Sequence, residues 1–406
     1  MGDALVLIGL IGKTNTGKTT FFNAATLLNA EIASYPFTTK EPERGIAYVR
    51  APCVCREFNV KDNPRNSACI EGWRFIPIEL MDLPGLIRGA WTGRGLGNQF
   101  LQAAAMADAL LHMVDASGSI DEDGEIVKPG VGDPVKDVYD IEEEIVLWFA
   151  HIVDGNKNRI SKLISSGKRV EDALYQVLSG LKIKPQHITE ALRRAELDEK
   201  EFKEWRWDDI KSFAYHLRTI SKPTVIVANK MDLPYAEENY KRLVEEFGYT
   251  IVIPCSAEAE LTLRKAEQKG LIKYIPGGEI FKVIDESKLT DKQRWALDYV
   301  EHRVINRYFR TGVQFALNFA VFKLLRMNVV YPVEDEHKLS DSKGNVLPDA
   351  LLVEPEARAI DLAGMIHSEL AKTMLYAIDV RTGLRLPKDY VLRDGDVIKI
   401  VSARRK

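Results

Sequence analysis

Gly12-Lys13-Thr14-Asn15-Thr16-Gly17-Lys18-Thr19 sets two glycines, a lysine and a hydroxyl in one short run. An apolar stretch precedes it, and Thr20-Phe21-Phe22-Asn23-Ala24-Ala25, which reads as a helix, follows. The chemistry open to this spacing is capture of a polyphosphate. Gly12 and Gly17 let the backbone curl so that successive N–H groups converge on a phosphate at the positive end of a helix. Lys18 supplies a point charge to the outer phosphates, and the Thr19 hydroxyl is a magnesium ligand. Asn15, Thr16 and Thr20 complete the phosphate-side set.

Asp82-Leu83-Pro84-Gly85 ends a second apolar stretch. An isolated Asp-x-x-Gly is usually a simple turn. At a strand end downstream of Lys18, Asp82 is placed to hold magnesium through water and the Gly85 N–H to contact a γ-phosphate. Asn229-Lys230-Met231-Asp232 follows a third apolar stretch. A carboxylate there accepts two hydrogen bonds from guanine N1–H and N2–H₂, donors that adenine lacks. A buried carboxylate left unpaired rejects the wrong base by roughly 10⁴. Asn229 is expected to brace the loop and Lys230 to lie along the base. Ser256-Ala257, after Cys255, would offer a backbone N–H to guanine O6. Ser-Ala means little alone; in this order and position it completes a set.

Four motifs in sequence need a scaffold that brings them to one edge. The apolar stretches Leu5–Ile11, Phe75–Met81, Ala109–Val114, Thr224–Ala228 and Thr250–Ile253 have the continuous character of strands buried on both faces. The expected fold is therefore α/β, of the P-loop NTPase type, with a mostly parallel sheet. Open sheets of this kind bind ligands beyond the carboxyl ends of their strands. From about 137 to 220 the apolar residues return at helical spacing, with one stripe at Ile141, Ile145, Trp148 and Ile152 and another at Val170, Leu174, Val177, Leu178 and Leu181. Asp198 and Glu201 suggest a cap before a helix carrying Phe202, Trp205, Phe213 and Leu217. After Ala257 more helices are expected, one starting at a Thr290/Gln293 capping box. The apolar run Phe315–Leu325 reads as a buried helix. The last unit has strands at Val329–Val333, Leu375–Val380 and Val397–Val401, a turn at Asp341–Gly344 and a helix from Ile360 to about Leu370, a pattern that fits a compact β-grasp domain. The organisation expected is a discontinuous nucleotide-binding domain, 1–136 and 221–265, with a helical insertion at 137–220, a helical connector at 266–325 and the α+β unit at 326–406.

A chain of 406 residues is long enough for two or three domains. A net charge of −3 excludes a wholly basic nucleic-acid binder, though not a local basic face. Met1-Gly2-Asp3 leads into an apolar strand without a basic lead, so no secretory signal is expected, and Val6 occupies the Ser/Thr position of a myristoylation motif. No apolar run approaches the ~20 residues that span a bilayer. A cytoplasmic monomer with no membrane partner is the expectation. Four cysteines are too few for a disulfide framework. Cys53, Cys55 and Cys69, with Cys255 or a histidine, could make a zinc site, but Cys-x-Cys is not the usual knuckle spacing, and ordinary semi-buried thiols are the favoured reading.

Three segments go further. Tyr35-Pro36-Phe37-Thr38-Thr39, Asp82-Leu83-Pro84-Gly85-Leu86 and Gly93-Arg94-Gly95-Leu96-Gly97-Asn98-Gln99-Phe100-Leu101 resemble the Obg-type translation-factor GTPases, nearest their YchF-related branch. Ile360-Asp361-Leu362-Ala363 and Leu392-Arg393-Asp394-Gly395-Asp396-Val397-Ile398 are similar to the TGS domain found in such GTPases. The resemblance covers nearly the whole chain. It implies that Thr39 is the switch threonine that closes onto magnesium; without it, Thr38 and Thr39 stand as equal loop candidates. It also implies that Gly85–Gly97, with five glycines, is the second switch. The expected catalytic set is Lys18, Thr39, Gly85 and Asn15, and the metal set is Thr19, Thr39 and Asp82.

Two departures bear on activity. Members of the YchF type often carry an acidic variant of the base-reading motif that relaxes guanine preference, whereas this chain keeps Asn229, Lys230 and Asp232. Leu86 stands where Ras-like enzymes carry a water-orienting glutamine, so unaided hydrolysis should be slow. Asn15 resembles the phosphate-loop asparagine of GTPases activated by potassium, although it could equally satisfy a turn. The expected activity is Mg²⁺-dependent hydrolysis of GTP to GDP by a molecular switch, with possible K⁺ activation. The resemblance implies a ribosomal or RNA partner reached through the TGS-like unit. Arg381, Arg385, Lys388 and Arg393 support RNA only weakly, because acids surround them, and Arg404-Arg405-Lys406 alone is unopposed. The competing readings are an ATPase of YchF type and a scaffold whose nucleotide is structural.

Overall fold

The computed structural model describes residues 5–27, 43–85, 89, 96–248 and 252–403. Tyr35–Thr39, Leu86, most of the Gly85–Gly97 segment and Arg404–Lys406 lie outside the described residues.

Seven strands build the main sheet: β1 (Leu7–Ile11), β2 (Glu43–Pro52), β3 (Ala68–Ile70), β4 (Trp73–Asp82), β5 (Ala109–Asp115), β6 (Thr224–Asn229) and β7 (Val252–Pro254). Their order is β2-β4-β1-β5-β6-β7, with β3 beside β4. β4, β1, β5, β6 and β7 are mutually parallel, and the register sets Leu10 opposite Asp82, Asp115 opposite Asn229 and Ala228 opposite Pro254. Strand ends bearing the first three motifs, and the strand leading into Ser256, therefore meet at one edge. β2 and β3 run antiparallel to β4 and were not expected. β2 pairs along the whole of β4, from Glu43 opposite Asp82 to Pro52 opposite Trp73, and extends the sheet on its phosphate side.

Both faces are covered. On one, Leu7, Ile11, Met81 and Leu110 join a helical layer centred on Ile145, Phe149, Leu174, Ile188, Phe213 and Leu217. That layer starts with the helix Pro134–Gly155, capped by Asp133, whose carboxylate accepts from Val135 N, and ends with the helix Trp207–Ser221. The expected stripes face this core. The cap expected at Asp198 is not observed: Phe202–Glu204 makes one 3₁₀ turn, and the long helix starts only at Trp207. Phe202, Trp205 and Phe213 pack as an aromatic cluster that holds Trp205 extended, so the chain cannot turn helical sooner. On the other face, Ile8, Leu10, Phe21 and Ile78 pack with Ala316, Leu317, Ala320 and Val321. These last belong to the helix Val313–Phe319, which continues as a π turn through Leu324.

The stretch after Ala257, read as helical, also contains a hairpin of β8 (Ile272–Tyr274) and β9 (Phe281–Val283). Its strands are only three residues long, below what periodicity resolves. The Thr290/Gln293 capping box opens the helix Asp291–Val300 as expected. The C-terminal sheet comprises β10 (Asn328–Val333), β11 (Leu351–Val353), β12 (Met374–Asp379), β13 (Arg385–Leu386) and β14 (Val397–Ser402), in the order β11-β10-β14-β12-β13. The expected single helix from Ile360 is two, Ala359–Ile366 and Ser368–Thr373. The break falls at His367, whose backbone is extended and whose ring nitrogen accepts from Glu369 N.

Candidate functional site

The phosphate loop leaves β1 through Gly12, which sits at φ +142°, where a Cβ would fall 2.3 Å from the Met113 carbonyl oxygen. Gly17 caps the helix Lys18–Thr26 at φ +94°, and a Cβ there would meet Asn229 Nδ2 at 2.3 Å. No side chain fits either position. Lys18 opens the helix, is buried, and donates to Gly12 O at 3.1 Å and Lys13 O at 2.6 Å. Thr16 is buried and its hydroxyl donates to Lys13 O. Thr20 lies in the first helical turn. Asn15 takes a left-handed conformation at φ 61°, and its Nδ2 donates to Gly124 O at 2.9 Å, which pins the exposed turn of the loop to the segment after β5.

Burial lowers the Lys18 ammonium to about 8, against the upward pull of Asp82. A phosphate favours the charged ammonium, so Lys18 is raised again in a nucleotide complex. Between about 8 and the value in the complex, binding must take up a proton, and affinity falls as pH rises, by about tenfold per pH unit. Titration calorimetry across that range, in buffers of different ionisation enthalpy, should show this uptake; pH-independent affinity with no proton exchange would contradict it.

At the end of β4, Asp82 Oδ2 accepts from Thr19 Oγ1 at 2.6 Å, while Oδ1 is buried with no hydrogen-bond partner among the described residues. Burial pushes the Asp82 carboxyl up, and the Thr19 hydroxyl and Lys18 pull it back. An all-oxygen pair with one buried oxygen unsatisfied suits a hard cation such as magnesium. Gly85 lies against the phosphate loop: a Cβ there would stand 2.4 Å from Thr14 Cγ2 and 2.6 Å from Thr14 N. The next described residue, Gly89, donates its N–H to Glu144 of the insertion at 2.6 Å. Thr39 lies outside the described residues.

Asn229 joins the two halves of the site. Its buried amide donates Nδ2 to Thr16 O at 2.8 Å, and its Oδ1 accepts from Ala257 N at 3.0 Å. The brace expected of Asn229 is thus observed; of the Ser256-Ala257 pair expected to offer a backbone N–H to guanine O6, Ala257 directs its N–H at Asn229. Ser256 N likewise donates to Thr311 O. What Ser256 does is orient Asp232, donating its hydroxyl to Oδ1 at 2.7 Å, while it also caps the helix Ala257–Gln268. Tyr299 hydroxyl donates to the Asp232 backbone oxygen at 3.1 Å. Lys230, at φ 62°, extends to Asp115 Oδ2 at 3.0 Å and Ser119 Oγ at 3.3 Å.

Several of these partners escaped the sequence reading. Asp115 ends β5 and binds the N–H and hydroxyl groups of Ser117 and Ser119, which fixes it under Lys230. Its one signal was an acid at the end of an apolar strand. Lys13 is buried and paired with Asp137 at 2.5 Å and Asp140 at 3.4 Å, both on the first insertion helix. Nothing in the motif pointed to so distant a pair.

A glycine-built phosphate cradle, an acidic strand end beside it and an Asn-Lys-x-Asp loop tied to that cradle through one amide define a P-loop GTPase. Family models agree. Residues 7–143 match the 50S ribosome-binding GTPase model, 227–335 the Obg-like GTPase YGR210-like, G4 motif-containing domain, and 343–402 the TGS domain. A GTP-binding protein of Methanocaldococcus jannaschii is 48% identical over 399 residues, covering 98% of this chain and all of its own. The ribosome-binding ATPase YchF of Bacillus subtilis is 31% identical over 269 residues, 64% of this chain and 68% of its own. A crystal structure of a GTP binding protein from Pyrococcus horikoshii superposes with a TM-score of 0.76 at 36% identity, covering 98% of this chain and 99% of that one. The chain belongs to the Obg-like, YchF-related GTPases that carry a C-terminal TGS domain. Among the described residues, no helix is long and apolar enough to cross a membrane.

Proposed function

We propose that this chain binds GTP at the carboxyl edge of its parallel sheet, hydrolyses it to GDP and phosphate, and thereby switches its hold on a ribosomal or RNA partner. The observation that carries the reading is Asn229, which links Thr16 of the phosphate loop to Ala257 of the base loop and so builds one site from both. Gly12, Asn15, Thr16, Gly17, Lys18, Thr19 and Thr20 would surround the phosphates. Asn229, Lys230, Asp232, Ser256 and Ala257 would frame the base. Thr19, Asp82 and Thr39 would hold Mg²⁺, which supplies charge neutralisation at the outer phosphates.

In the reaction, water attacks the γ-phosphorus, the bond to the β-phosphate oxygen breaks, and GDP leaves as that oxygen gains the electron pair. Lys18 and the backbone N–H groups of the loop and Gly85 would stabilise charge on the transferring group. With Leu86 apolar, water must be positioned by backbone, another residue or a partner. Asn15 would place its side-chain oxygen near a K⁺ ion that does the work of an arginine finger. Turnover is expected to be faster in potassium chloride than in sodium chloride at equal ionic strength, and equal rates would remove this role.

The name of the Bacillus subtilis relative speaks for ATP and for the ribosome. The intact Asn229-Lys230-x-Asp232 set, with Asp232 aimed by Ser256, favours guanine over adenine. The ribosomal partner rests on the relative's name and the TGS domain, and the cytoplasmic setting follows from it. The same reading takes 137–220 as an insertion and 326–406 as the partner-binding unit of a monomer. Co-sedimentation with ribosomal particles tests the switch: affinity should differ several-fold between GDP and a non-hydrolysable GTP analogue, since a ligand shifts only states it distinguishes. Equal affinity in both states would favour a scaffold with structural nucleotide.

A further inference from the structure

We propose that Cys53, Cys55, Cys69 and Asp62 form a closed tetrahedral site for a structural zinc ion. Cys53 follows β2, Cys55 lies in the 3₁₀ turn Val54–Arg56, Asp62 lies in the loop beyond it, and Cys69 is the middle residue of β3. The loop between β2 and β3 thus folds back on itself and brings four ligand atoms together, all within 4.8 Å of one another. Cys55 Sγ and Cys69 Sγ are 3.8 Å apart, and Cys53 Sγ is 3.3 Å from Asp62 Oδ2. A tetrahedron with Zn–S of about 2.3 Å and Zn–O of about 2.0–2.2 Å has S···S edges of about 3.8 Å and S···O edges of about 3.5 Å. These two separations are close to the edges of a tetrahedron around one ion, and the others, none above 4.8 Å, need only close in slightly on binding. They do not match a disulfide, whose sulfurs lie about 2.05 Å apart, and all four cysteines of the chain are free.

The surroundings suit a metal-thiolate centre. Three thiolates and a carboxylate around a divalent cation leave two net negative charges. Arg74, wholly buried, answers one of them: its guanidinium donates to Asp62 Oδ2 at 2.9 Å and to Ser67 Oγ at 2.9 Å. Asp62 Oδ2 meets both Cys53 Sγ and Arg74, so the ligand oxygen itself accepts the outer-shell hydrogen bond that orients a ligand. Thiolate-rich tetrahedral sites select zinc over harder cations. The fourth ligand differs from the sequence expectation, since Cys255 follows β7 and packs against Gly312, and among the described residues no histidine enters the cluster.

The site would act as a staple. Arg74 also donates to Leu347 O, Asn63 N to Val346 O and Arg65 N to Pro348 O, all in the segment before β11. The loop that carries the ligands is thereby the seam between the nucleotide-binding sheet and the C-terminal sheet. Metal binding would displace the thiol protons and fix that seam.

The full chain, purified under reductant without a metal-affinity step, should carry about one zinc per molecule. X-ray absorption should show three sulfurs at about 2.3 Å and one light ligand at about 2.0 Å. After chelation, cobalt should restore the thiolate-to-metal charge-transfer band and the intense ligand-field bands of a tetrahedral ion. Cys55→Ser and Cys69→Ser should each lower zinc affinity by at least about 100-fold, with guanine-nucleotide binding retained, which separates this site from the nucleotide reading. Should those variants fold poorly, the spectrum of the cobalt-loaded natural chain decides the matter. Substoichiometric metal in every preparation, together with a cobalt spectrum lacking the charge-transfer band, would overturn the proposal.

Discussion

Asp232→Asn should exchange guanine for xanthine preference, with a swing of roughly 10⁴ in relative affinity. Guanine offers two donors on the edge that a carboxylate accepts. Xanthine carries one donor and one carbonyl there, a pattern that an amide matches with its own oxygen and nitrogen. The substitution hardly changes shape, and the surroundings can keep it oriented: Ser256 can still donate to the side-chain oxygen, and Tyr299 still holds the backbone carbonyl. In the natural chain, xanthine would set its carbonyl against a carboxylate with no proton between them, a buried mismatch that costs more than a lost contact. Competition of GTP and XTP for a fluorescent guanine nucleotide measures the swing. Weaker binding of both, with the ratio unmoved, would mean that Asp232 does not read the base.

Lys18→Ala should abolish tight nucleotide binding, with a loss of roughly 10²–10³, taking the scale at which removal of one preorganised donor weakens stabilisation of a buried anionic oxygen. The ammonium already sits in the centre of the loop, held by Gly12 O and Lys13 O. Stability separates lost function from lost fold. Burial holds Lys18 down to about 8, whereas the unfolded chain keeps it near the ordinary lysine value of about 10.4. The unfolded state therefore binds this proton more tightly, so keeping the side chain buried and charged carries its full stability cost below about 8, a cost that fades as pH rises from there toward the unfolded value of about 10.4. Lys18→Met keeps the apolar stem and removes the charge, so at neutral pH the nucleotide-free variant should melt no lower than the natural chain while failing to bind. Retained micromolar GTP binding by either variant would undo the assignment of the phosphate loop.

The parallel core was readable because its strands are continuous apolar runs and four of the five lead into residues with a chemical purpose. Leu5–Ile11, for instance, runs straight into Gly12. Less regular elements were not. β2 has exposed Glu43 and Arg44 at one end and Pro52 at the other, and it is a strand because β4 offers it a full edge to pair with. Lys230 was expected beside the base, but its direction depends on Asp115, a residue on another strand that no local spacing connects to it. The capping expectation at Asp198 failed through packing, since the Phe202–Trp205–Phe213 cluster outweighs a local cap preference. Asp62 escaped notice as a companion of the cysteines because only the folded loop sets a carboxylate among three sulfurs.

The amide of Asn229 has a thermodynamic corollary. With one hand on the loop proposed to meet the phosphates and the other on the loop proposed to meet the purine, it couples the ordering of one half to that of the other. Guanosine and pyrophosphate, offered as separate fragments, should each tighten the grip on the other, and that mutual reinforcement should vanish with Asn229→Ala even where each fragment still finds its own pocket.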